Sequence, residues 1–324
     1  MSPKMSPAGN PFSEEGEWLK AALHTHTIRS DGDLEPAAHV RHHAWMGFDV
    51  CAITDHWKVT REPSVDGCLV MTGAELAADP LGPERYTEIL AIGIDEIPED
   101  PGGDRANWGP IDNYHFKTFP DLTAAGRCIR DQGGVSFIAH PYWSALPPQV
   151  ILETESVDGL ELFNSSAERE NGRGDSSYVW DLALEAGRPL FGFATDDAHY
   201  PGFDIGDAWT MVRAAERSQD AVLDALRRGS FYASAGPAIL DVRVDGSAVE
   251  VRCDPARSIL LMSRYETGWA VRADHRNRQE EAEILERDAA GLIVRARFMP
   301  SIEVPYRRLV VEGPGGRRAW TNPL

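Results

Sequence analysis

Residues 19–26 read Leu-Lys-Ala-Ala-Leu-His-Thr-His, a short apolar run that ends in two histidines separated by one residue. In an extended segment alternate side chains project to the same side, so His24 and His26 can bind one metal ion together. Asp31 follows in a turn that Gly32 permits, which leaves a carboxylate free near the pair. Several apolar runs that each end in metal-competent side chains would indicate an α/β barrel with its active site at one end.

The pattern does recur, because short apolar runs alternate with helical patterns up to about residue 235. This alternation is typical of parallel strands joined by crossover helices. We predict strands at residues 19–23, 49–54, 68–72, 88–94, 135–139, 159–163, 189–194 and 208–212. Proline near the first turn or glycine after the last turn marks helices at residues 36–46, 120–132, 176–186 and 218–228.

Beyond residue 236 the sequence needs no helix. Turn signals and alternating side chains predict strands at residues 239–244, 249–253, 259–262, 292–298 and 308–312. We therefore predict an α/β fold in three parts. These are a flexible tail at residues 1–17, an α/β barrel at residues 18–235 and a small all-β domain, a sandwich, at residues 236–324.

The composition is that of a globular protein of 324 residues with 42% hydrophobic residues and a net charge of −19. Lys and Arg never form a long run, which argues against a nucleic acid duplex held through its phosphates and favours a small substrate. The tail lacks the apolar stretch of a secretory signal and no apolar run approaches a membrane span, so we expect a cytoplasmic protein without membrane contact. Four cysteines without metal-site spacing fit a reducing compartment: Cys51, Cys68, Cys128 and Cys253.

Residues able to bind metals lie at or just beyond the predicted strand ends, where the loops of a parallel α/β barrel build an active site. They are His24 and His26 after the first strand, Asp55 and His56 after the second, Glu75 after the third, His140 after the fifth, Glu161 and Asn164 after the sixth, and Asp197 and His199 after the seventh. Scattered surface histidines would show no such placement. We therefore predict a metal-binding active site at this end of the barrel.

Five short motifs, in this order, resemble those of the PHP (polymerase and histidinol phosphatase) domain. They are His24-Thr25-His26-Thr27 with Ser30-Asp31-Gly32, Ile53-Thr54-Asp55-His56, Gly73-Ala74-Glu75, Ala139-His140-Pro141 and Asp197-Ala198-His199. The resemblance extends from about residue 23 to residue 199 and implies a distorted (β/α)7-type barrel that acts as a metal-dependent hydrolase. Residues 229–237 and the closing β domain resemble the branch of the family that includes carbaryl hydrolase.

Residue by residue, the resemblance implies ligands for two or three divalent ions, with Glu75 as the bridge between the first two. One ion would be bound by His24, His26, Glu75 and Asp197, a second by Glu75 and His140, and a third by Asp31, His56 and His199. Asp55 and Asp196 would orient ligands from behind. Where relatives have a histidine in the fourth strand, this chain has Glu88, which would favour manganese or iron over zinc. His115, in a predicted loop, is the alternative ligand.

Histidine and carboxylate ligands without thiolate suit Mn²⁺, Fe²⁺ or Zn²⁺. A hydroxide that bridges the ions, held by Glu75 and Asp197, would attack phosphorus directly, so no side-chain nucleophile is needed. Neither a P-loop nor a Gly-x-Ser-x-Gly elbow occurs in the sequence. Arg29, Arg169 and Arg173 are predicted to bind the substrate phosphate.

Some aromatic residues next to the ligands are predicted either to form a wall for an organic leaving group or to pack the barrel rim. They are Trp57, Tyr142, Trp143 and Tyr200. His39, His42 and His43 are predicted to form the solvated or interfacial face of a helix, and His275 receives no role.

These features favour a phosphomonoesterase or phosphodiesterase that acts on a phosphate ester of a small metabolite or nucleotide. A metal-dependent carbamate, amide or carboxylic ester hydrolase is the alternative, because the same hydroxide can attack carbon. A metal-stabilised binding protein without catalysis is the third interpretation. The sequence leaves the oligomeric state open.

Overall fold

The computed structural model describes residues 9–79, 81, 87–102, 105–107, 115–275 and 279–324, and within these ranges the chain forms a mixed α/β fold. The helices are α1 (Pro36–Trp45), α2 (Leu122–Asp131), α3 (Pro148–Glu153), α4 (Ser165–Asn171), α5 (Ser177–Glu185) and α6 (Gln219–Arg228). The strands are β1 (Glu17–Ala22), β2 (Val50–Ile53), β3 (Leu69–Ala78), β4 (Thr87–Ile92), β5 (Arg105–Asn107), β6 (His115–Lys117), β7 (Val135–Ile138), β8 (Gly159–Asn164), β9 (Phe191–Thr195), β10 (Trp209–Ala214), β11 (Phe231–Ser234), β12 (Ile239–Asp245), β13 (Ala248–Ala256), β14 (Ser258–Met262), β15 (Gly268–Arg272), β16 (Ala282–Arg287), β17 (Ile293–Phe298), β18 (Arg308–Glu312) and β19 (Arg318–Thr321). Among these described helices, none combines the length and the apolar character needed to cross a membrane.

Thirteen of the described strands form one mixed sheet in the order β15-β14-β18-β19-β11-β10-β1-β2-β3-β4-β7-β8-β9. The pairs β1–β2, β2–β3, β7–β8 and β8–β9 are parallel, as predicted. β4 and β10 each run antiparallel to both of their neighbours, so the prediction of parallel order is wrong at these two strands. At β4 the reason is the short chain that follows β3, since parallel pairing needs a crossover of about a dozen residues or more.

The large sheet curls so that its edge strand β9 returns towards β10. The Thr210 hydroxyl donates a hydrogen bond to the Ala194 carbonyl (2.8 Å) and accepts one from the Ala194 amide (3.3 Å). Beyond the ends of β1 and β9, Thr25 and Ala198 form an isolated parallel β-bridge. The loops that follow β1 and β9 are therefore neighbours, although more than 150 residues separate them in the sequence.

The central strands are covered on both sides. Every residue of β2 and of β7 is buried, as expected for strands of an α/β sheet with both faces packed. β3 extends to Ala78, six residues beyond the predicted end, so Glu75 lies inside a strand and not after it. The sequence pattern did not predict α3, α4 or β11, because these segments are short and have weak periodicity.

Helix α1 buries two of the three histidines that were predicted to form a solvated or interfacial face. His39 and His43 have no exposed surface, whereas His42 is partly exposed. His39, Val40 and His43 lie on one side of the helix, because side chains three and four positions apart share a face. That side packs against β2, where Cys51 belongs to the same apolar cluster as Val40.

Two sheets meet in the C-terminal region. β12, β13, β17 and β16 form a separate antiparallel sheet, whereas β14, β15, β18 and β19 extend the large sheet through the pairing of β19 with β11. Apolar side chains of both sheets share one core, including Val251 and Phe298 from one and Leu261 and Val311 from the other. The predicted sandwich and the predicted domain boundary at residue 236 stay predictions.

Candidate metal centre

The loops after β1, β2, β7 and β9 surround a cavity of about 280 Å³ that contains most of the predicted ligands. Its described lining residues are Asp31, His56, Glu75, Glu88, His140, Trp143, Ser166, Ala167, Glu170, Asp197, His199 and Tyr200. His24 and His26 are fully buried and contact Glu75 and Asp197. The fold therefore brings all eight predicted ligands and Glu88 together.

Four of these residues form the tightest group. His24 Nε2 lies 3.0 Å from both His26 Nε2 and Glu75 Oε2, and 3.1 Å from Asp197 Oδ1. His26 Nε2 lies 3.1 Å from Glu75 Oε2 and 3.3 Å from Asp197 Oδ1. Ligand atoms at about 2.0–2.1 Å from a tetrahedral ion are roughly 3.3 Å apart, so this spacing fits one shared ion. Two imidazole nitrogens this close cannot both carry a proton, and a shared cation satisfies both.

Glu75 connects this group to a second group around His140 and Glu88. Glu75 Oε1 lies 3.2 Å from His140 Nε2, and Glu75 Oε2 lies 3.4 Å from His56 Nδ1. The carboxylate of Glu88 lies 3.5 Å from the nearest ring nitrogens of His56 and of His140. His115, the alternative ligand, begins β6 and does not lie in a loop, and its side chain is outside the described residues.

A third group surrounds Asp31. Its carboxylate lies 3.4 Å from His56 Nε2, 3.4 Å from His26 Nδ1 and 3.6 Å from His199 Nε2. Gly32 is needed because a Cβ atom there would lie 2.3 Å from the carbonyl oxygen of His26. His26 and His56 each present their two ring nitrogens to different groups, so the three groups form one continuous cluster that can hold more than one ion.

Two of the predicted ligands have a backbone conformation that is rare outside glycine. His140 has a φ of 26° and Asp197 has a φ of 57°. Such conformations cost about 1–3 kcal/mol each and concentrate at functional sites, where the surrounding structure maintains them. Glu161 helps to maintain the first, since its Oε2 accepts a hydrogen bond of 2.6 Å from the His140 amide.

The carboxylates of the cluster stabilise positive charge on the groups around them. Burial alone would lower the pKa of His26, but hydrogen bonds to Asp197 and Glu75 outweigh burial and raise this pKa to about 10. Burial opposes Glu75 in the same way at His140, whose pKa is raised to about 9. Burial, together with the charge of Glu75, raises the pKa of Glu88 to about 7. The same field that attracts protons to these groups attracts metal cations.

Glu161 was predicted to follow the sixth strand, but it lies inside β8, and the sequence did not distinguish it from a ligand or a structural acid. It is fully buried, and its Oε1 lies 2.6 Å from His24 Nδ1. Its Oε2 accepts a hydrogen bond of 2.9 Å from Asn164, which also donates one of 3.2 Å to Asp197. A carboxylate on the far nitrogen of a metal-binding imidazole fixes the ring and raises its basicity. Glu161 therefore positions His24 and the backbone of His140.

We predict that Glu161→Gln weakens metal binding at the His24 group by about 10–100-fold, because an amide cannot orient and polarise the imidazole as a carboxylate does. Competition titration against a chromophoric chelator measures the change. Glu153→Gln, at an exposed position on α3, is the matched control and should bind metal like the unmodified chain. Equal affinity in Glu161→Gln and the control would show that Glu161 has no positioning role.

Asp55 and Asp196 are fully buried and orient loops more than ligand side chains. Asp55 accepts hydrogen bonds from the Thr27 amide (2.7 Å) and the Ser30 hydroxyl (2.8 Å), so it holds the turn that carries Asp31. Asp196 accepts hydrogen bonds from three successive amides at residues 206–208. Both carboxylates thus fix the shape of loops that end in the cluster.

The three predicted phosphate-binding arginines do not line the cavity. Arg169 donates a hydrogen bond of 2.8 Å to Asp207, and Arg29 and Arg173 are exposed. Among the described residues that line the cavity none is Lys or Arg, and Glu170 adds a further carboxylate at its mouth. The cavity is therefore strongly acidic, and cations are needed to attract an anionic substrate into it.

Two of the four predicted aromatic wall residues line the cavity. The ring of Trp143 stands edge-on to His140 with centroids 4.9 Å apart, and Tyr200 stacks beside His199. Tyr142 is about half exposed and Trp57 stacks on another aromatic ring, so neither belongs to the described lining. Trp143 and Tyr200 are therefore the side chains available to contact an organic group of a substrate.

Comparison with known proteins supports the fold. No protein-family model and no curated protein sequence matches the chain. A two-domain protein from Bacteroides vulgatus, described as containing a predicted PHP-like metal-dependent phosphoesterase, is similar over 100% of both chains, with 17% identity and a TM-score of 0.51. The resemblance to the PHP domain is thus confirmed at the level of the fold. Placement in the carbaryl hydrolase branch stays a prediction.

Two further solved structures are similar over part of the chain. One is a candidate metal-dependent phosphoesterase from Bifidobacterium adolescentis, with 15% identity and a TM-score of 0.44, which covers 66% of this chain and 98% of its own. The other is an amidohydrolase from Chromobacterium violaceum, with 17% identity and a TM-score of 0.42, which covers 57% of this chain and 89% of its own.

Proposed function

We propose that the chain is a metal-dependent hydrolase that cleaves phosphate esters of a small metabolite or nucleotide. The observation that carries the proposal is the continuous cluster of eight predicted ligands and Glu88 around the two oxygens of Glu75, in a cavity open to small molecules. A scaffold or a purely structural metal site needs no cavity beside the ions. The binding protein without catalysis is therefore the weakest interpretation.

The residues of the chain determine how such a site would work. Divalent ions bound by these residues would acidify a water molecule and offset charge on phosphoryl oxygens. Glu75 presents one oxygen to the His24 group and the other to His140. Asp197 presents Oδ1 to His24, while its Oδ2 is held by Asn164. These two carboxylates orient the nucleophile without being consumed.

The proposal is tested by reconstituting the purified protein with Mn²⁺, Fe²⁺ or Zn²⁺ and measuring hydrolysis of a broad panel of esters. The panel includes nitrophenyl phosphates, cyclic nucleotides and sugar phosphates. We expect at least one class to be cleaved, with the activity lost in Asp197→Asn. Failure to cleave any member with any of the metals would refute the proposal.

A carbamate, amide or carboxylic ester hydrolase is the second candidate. The acidic lining favours it, because no described lining residue is Lys or Arg and Glu170 would repel a phosphate that reaches beyond the ions. Turnover of an aryl carbamate and of an aryl phosphate that share one leaving group separates the two candidates. A phosphatase cleaves the second faster, and a carbamate hydrolase cleaves the first faster.

Glu88 determines the stoichiometry in this proposal, because it supplies the carboxylate where the resemblance implies an imidazole. We predict that Glu88→Ala loses one ion per chain in protein purified without chelators, and that Glu88→His keeps the ion but prefers Zn²⁺ over Mn²⁺. Metal analysis by mass spectrometry measures both. Glu266→Ala, in an exposed turn, is the control, and an unchanged metal content in Glu88→Ala would remove Glu88 from the ligand set.

The finer architecture belongs to the same proposal. The curl of the sheet between β9 and β10 supports a distorted (β/α)7-type barrel, and the core shared by the two C-terminal sheets supports a sandwich from residue 236 to residue 324. In this arrangement β14, β15, β18 and β19 join the two parts through backbone pairing, which would hold them in a fixed relation.

A further inference from the structure

A second cluster of metal-competent side chains lies between α1 and β2, outside the cavity. His39, His43 and Cys51 place one ligand atom each within 4.8 Å of one another. All three residues have no exposed surface. The group contains a thiol, unlike the cluster around Glu75, and it contains no carboxylate.

Helix α1 contributes two of the three residues of this cluster. His39 and His43 are four residues apart, so their side chains lie one above the other on the face of α1 that meets β2. His43 Nδ1 donates a hydrogen bond of 3.0 Å to the His39 carbonyl oxygen. Because Nδ1 carries the proton, Nε2 of His43 has its lone pair available for a metal.

These imidazoles have nitrogens that nothing else satisfies. Within the described part of the chain, His43 Nε2 and both ring nitrogens of His39 are buried without a hydrogen-bond partner. Buried polar groups normally have a hydrogen-bond partner, because burying them without one is costly. An apolar side chain at position 39 would therefore be more stable than histidine unless a ligand binds the imidazole. Burial lowers the pKa of His39 well below its ordinary value and that of His43 to about 4, so both rings are neutral, the form that binds metals.

We infer that His39, His43 and Cys51 bind one Cu⁺ ion in a buried three-coordinate site. The thiolate is the soft ligand that Cu⁺ prefers, and neutral imidazole also suits copper. The Cu⁺–thiolate pair is neutral, whereas Zn²⁺ would leave a net positive charge in an apolar surrounding and would require a fourth ligand.

Binding replaces the proton of the thiol. Cys51–SH and Cu⁺ give Cys51–S–Cu and one H⁺, which passes to the solvent, and no electron is transferred. Burial raises the pKa of the Cys51 thiol, so the metal-free protein keeps this proton until the ion displaces it.

The site lies directly behind the segment after β1 that carries His24 and His26. Thr25, between His24 and His26, places its hydroxyl 3.8 Å from Cys51 Sγ and donates a hydrogen bond of 2.9 Å to the Ala52 carbonyl. An ion between α1 and β2 would therefore hold the helix against the strands that carry the metal ligands. Its effect is on stability, and it does not depend on the proposed hydrolase activity.

The test is an anaerobic titration of the whole chain with Cu⁺ in competition with a chromophoric chelator. The thiolate-to-copper absorption in the ultraviolet identifies the site, since the cluster around Glu75 contains no cysteine. Exchange into a fully buried site requires α1 to open, so each mixture is incubated until its spectrum is constant. We expect one equivalent to give the absorption, its loss in Cys51→Ala, and its retention in Cys68→Ala, which removes another buried thiol from the same apolar cluster.

His39→Leu keeps the test falsifiable if Cys51→Ala folds poorly. Without copper this variant should melt at or above the temperature of the unmodified chain, because it removes an imidazole that has no partner. With Cu⁺ the unmodified chain should melt at a higher temperature, by mass action, and the variant should not. The inference is overturned if Cys51→Ala retains the thiolate absorption, if Cu⁺ stabilises His39→Leu equally, or if Zn²⁺ stabilises through these residues and Cu⁺ does not.

Discussion

Replacement of Glu75 by glutamine should abolish metal-dependent activity. Glu75 is buried, and its two oxygens lie between 3.0 and 3.4 Å from ring nitrogens of His24, His26, His56 and His140. Glutamine has nearly the same shape but no charge, so it cannot offset the charge of two cations that approach each other. We therefore expect the loss of at least one ion per chain in Glu75→Gln.

The effect on turnover follows from the loss of the ion. A catalytic metal stabilises transition-state charge by several kcal/mol, which corresponds to a fall in rate of roughly 1,000-fold. Metal analysis and steady-state turnover with the best ester of the panel measure the two quantities. Because the side chains have the same volume, the metal-free variant should keep the circular dichroism spectrum of the unmodified protein.

The control for this prediction is Glu266→Gln, which makes the same chemical change in an exposed turn and should leave both quantities unchanged. If Glu75→Gln retains full turnover and full metal content, the bridging role is wrong and the hydrolase proposal loses its central residue. If metal content falls while turnover persists, the lost ion is not the catalytic one.

The sequence predicted the clustering of the candidate ligands better than the sheet that carries them. His24, His26 and His56 follow apolar runs directly, so local order is enough to place them at strand ends. The direction of β4 is not a local property, since an apolar run is the same in either direction. β4 pairs antiparallel with β3 and β7, which the sequence pattern alone could not establish.

The buried polar residues show a second limit of the sequence. His39 and His43 were predicted on a solvated or interfacial helix face because histidine is seldom fully buried, yet both are fully buried on the side of α1 that carries Val40. Glu161 was predicted among the metal-competent residues, but it lies inside β8 and contacts Nδ1 of His24, the nitrogen that faces away from the cluster. Side-chain type and spacing placed Glu161 among the metal-competent residues and His39 and His43 on a helix face, whereas only the packing of distant segments shows what each side chain contacts.

Breaking the ion pair between Arg308 and Asp181 should lower the free energy of unfolding more than any other substitution described above. Arg308 lies on β18 and Asp181 on α5, so the pair connects the C-terminal strands to a helix of the preceding region. The guanidinium donates to both carboxylate oxygens at 2.6–2.8 Å and lies 5.0 Å from the Trp180 ring. Removing one partner of a buried pair leaves the other charge uncompensated, at a cost of about 3–5 kcal/mol.

The two single variants should differ, because the partners are not equally buried. Arg308 is 1% exposed and Asp181 is 22% exposed. Asp181→Leu leaves a fully buried cation and should cost about 5 kcal/mol, whereas Arg308→Met leaves a carboxylate that water can reach and should cost about 3 kcal/mol. Burial raises the pKa of Asp181, although Arg308 acts in the opposite direction.

The double variant Asp181→Leu with Arg308→Met separates the loss of the pair from the penalty of an unpaired charge. Replacing both partners of a buried pair by apolar groups is often neutral or stabilising, so the double variant should unfold closer to the unmodified chain than either single variant. Urea unfolding midpoints measure all four proteins. Arg61→Met, which breaks an exposed pair with Asp95 of 2.8 Å, is the control and should cost less than about 1 kcal/mol. A double variant as unstable as the sum of its parts would show that the side chains stabilise the junction by packing, and that their charges contribute little.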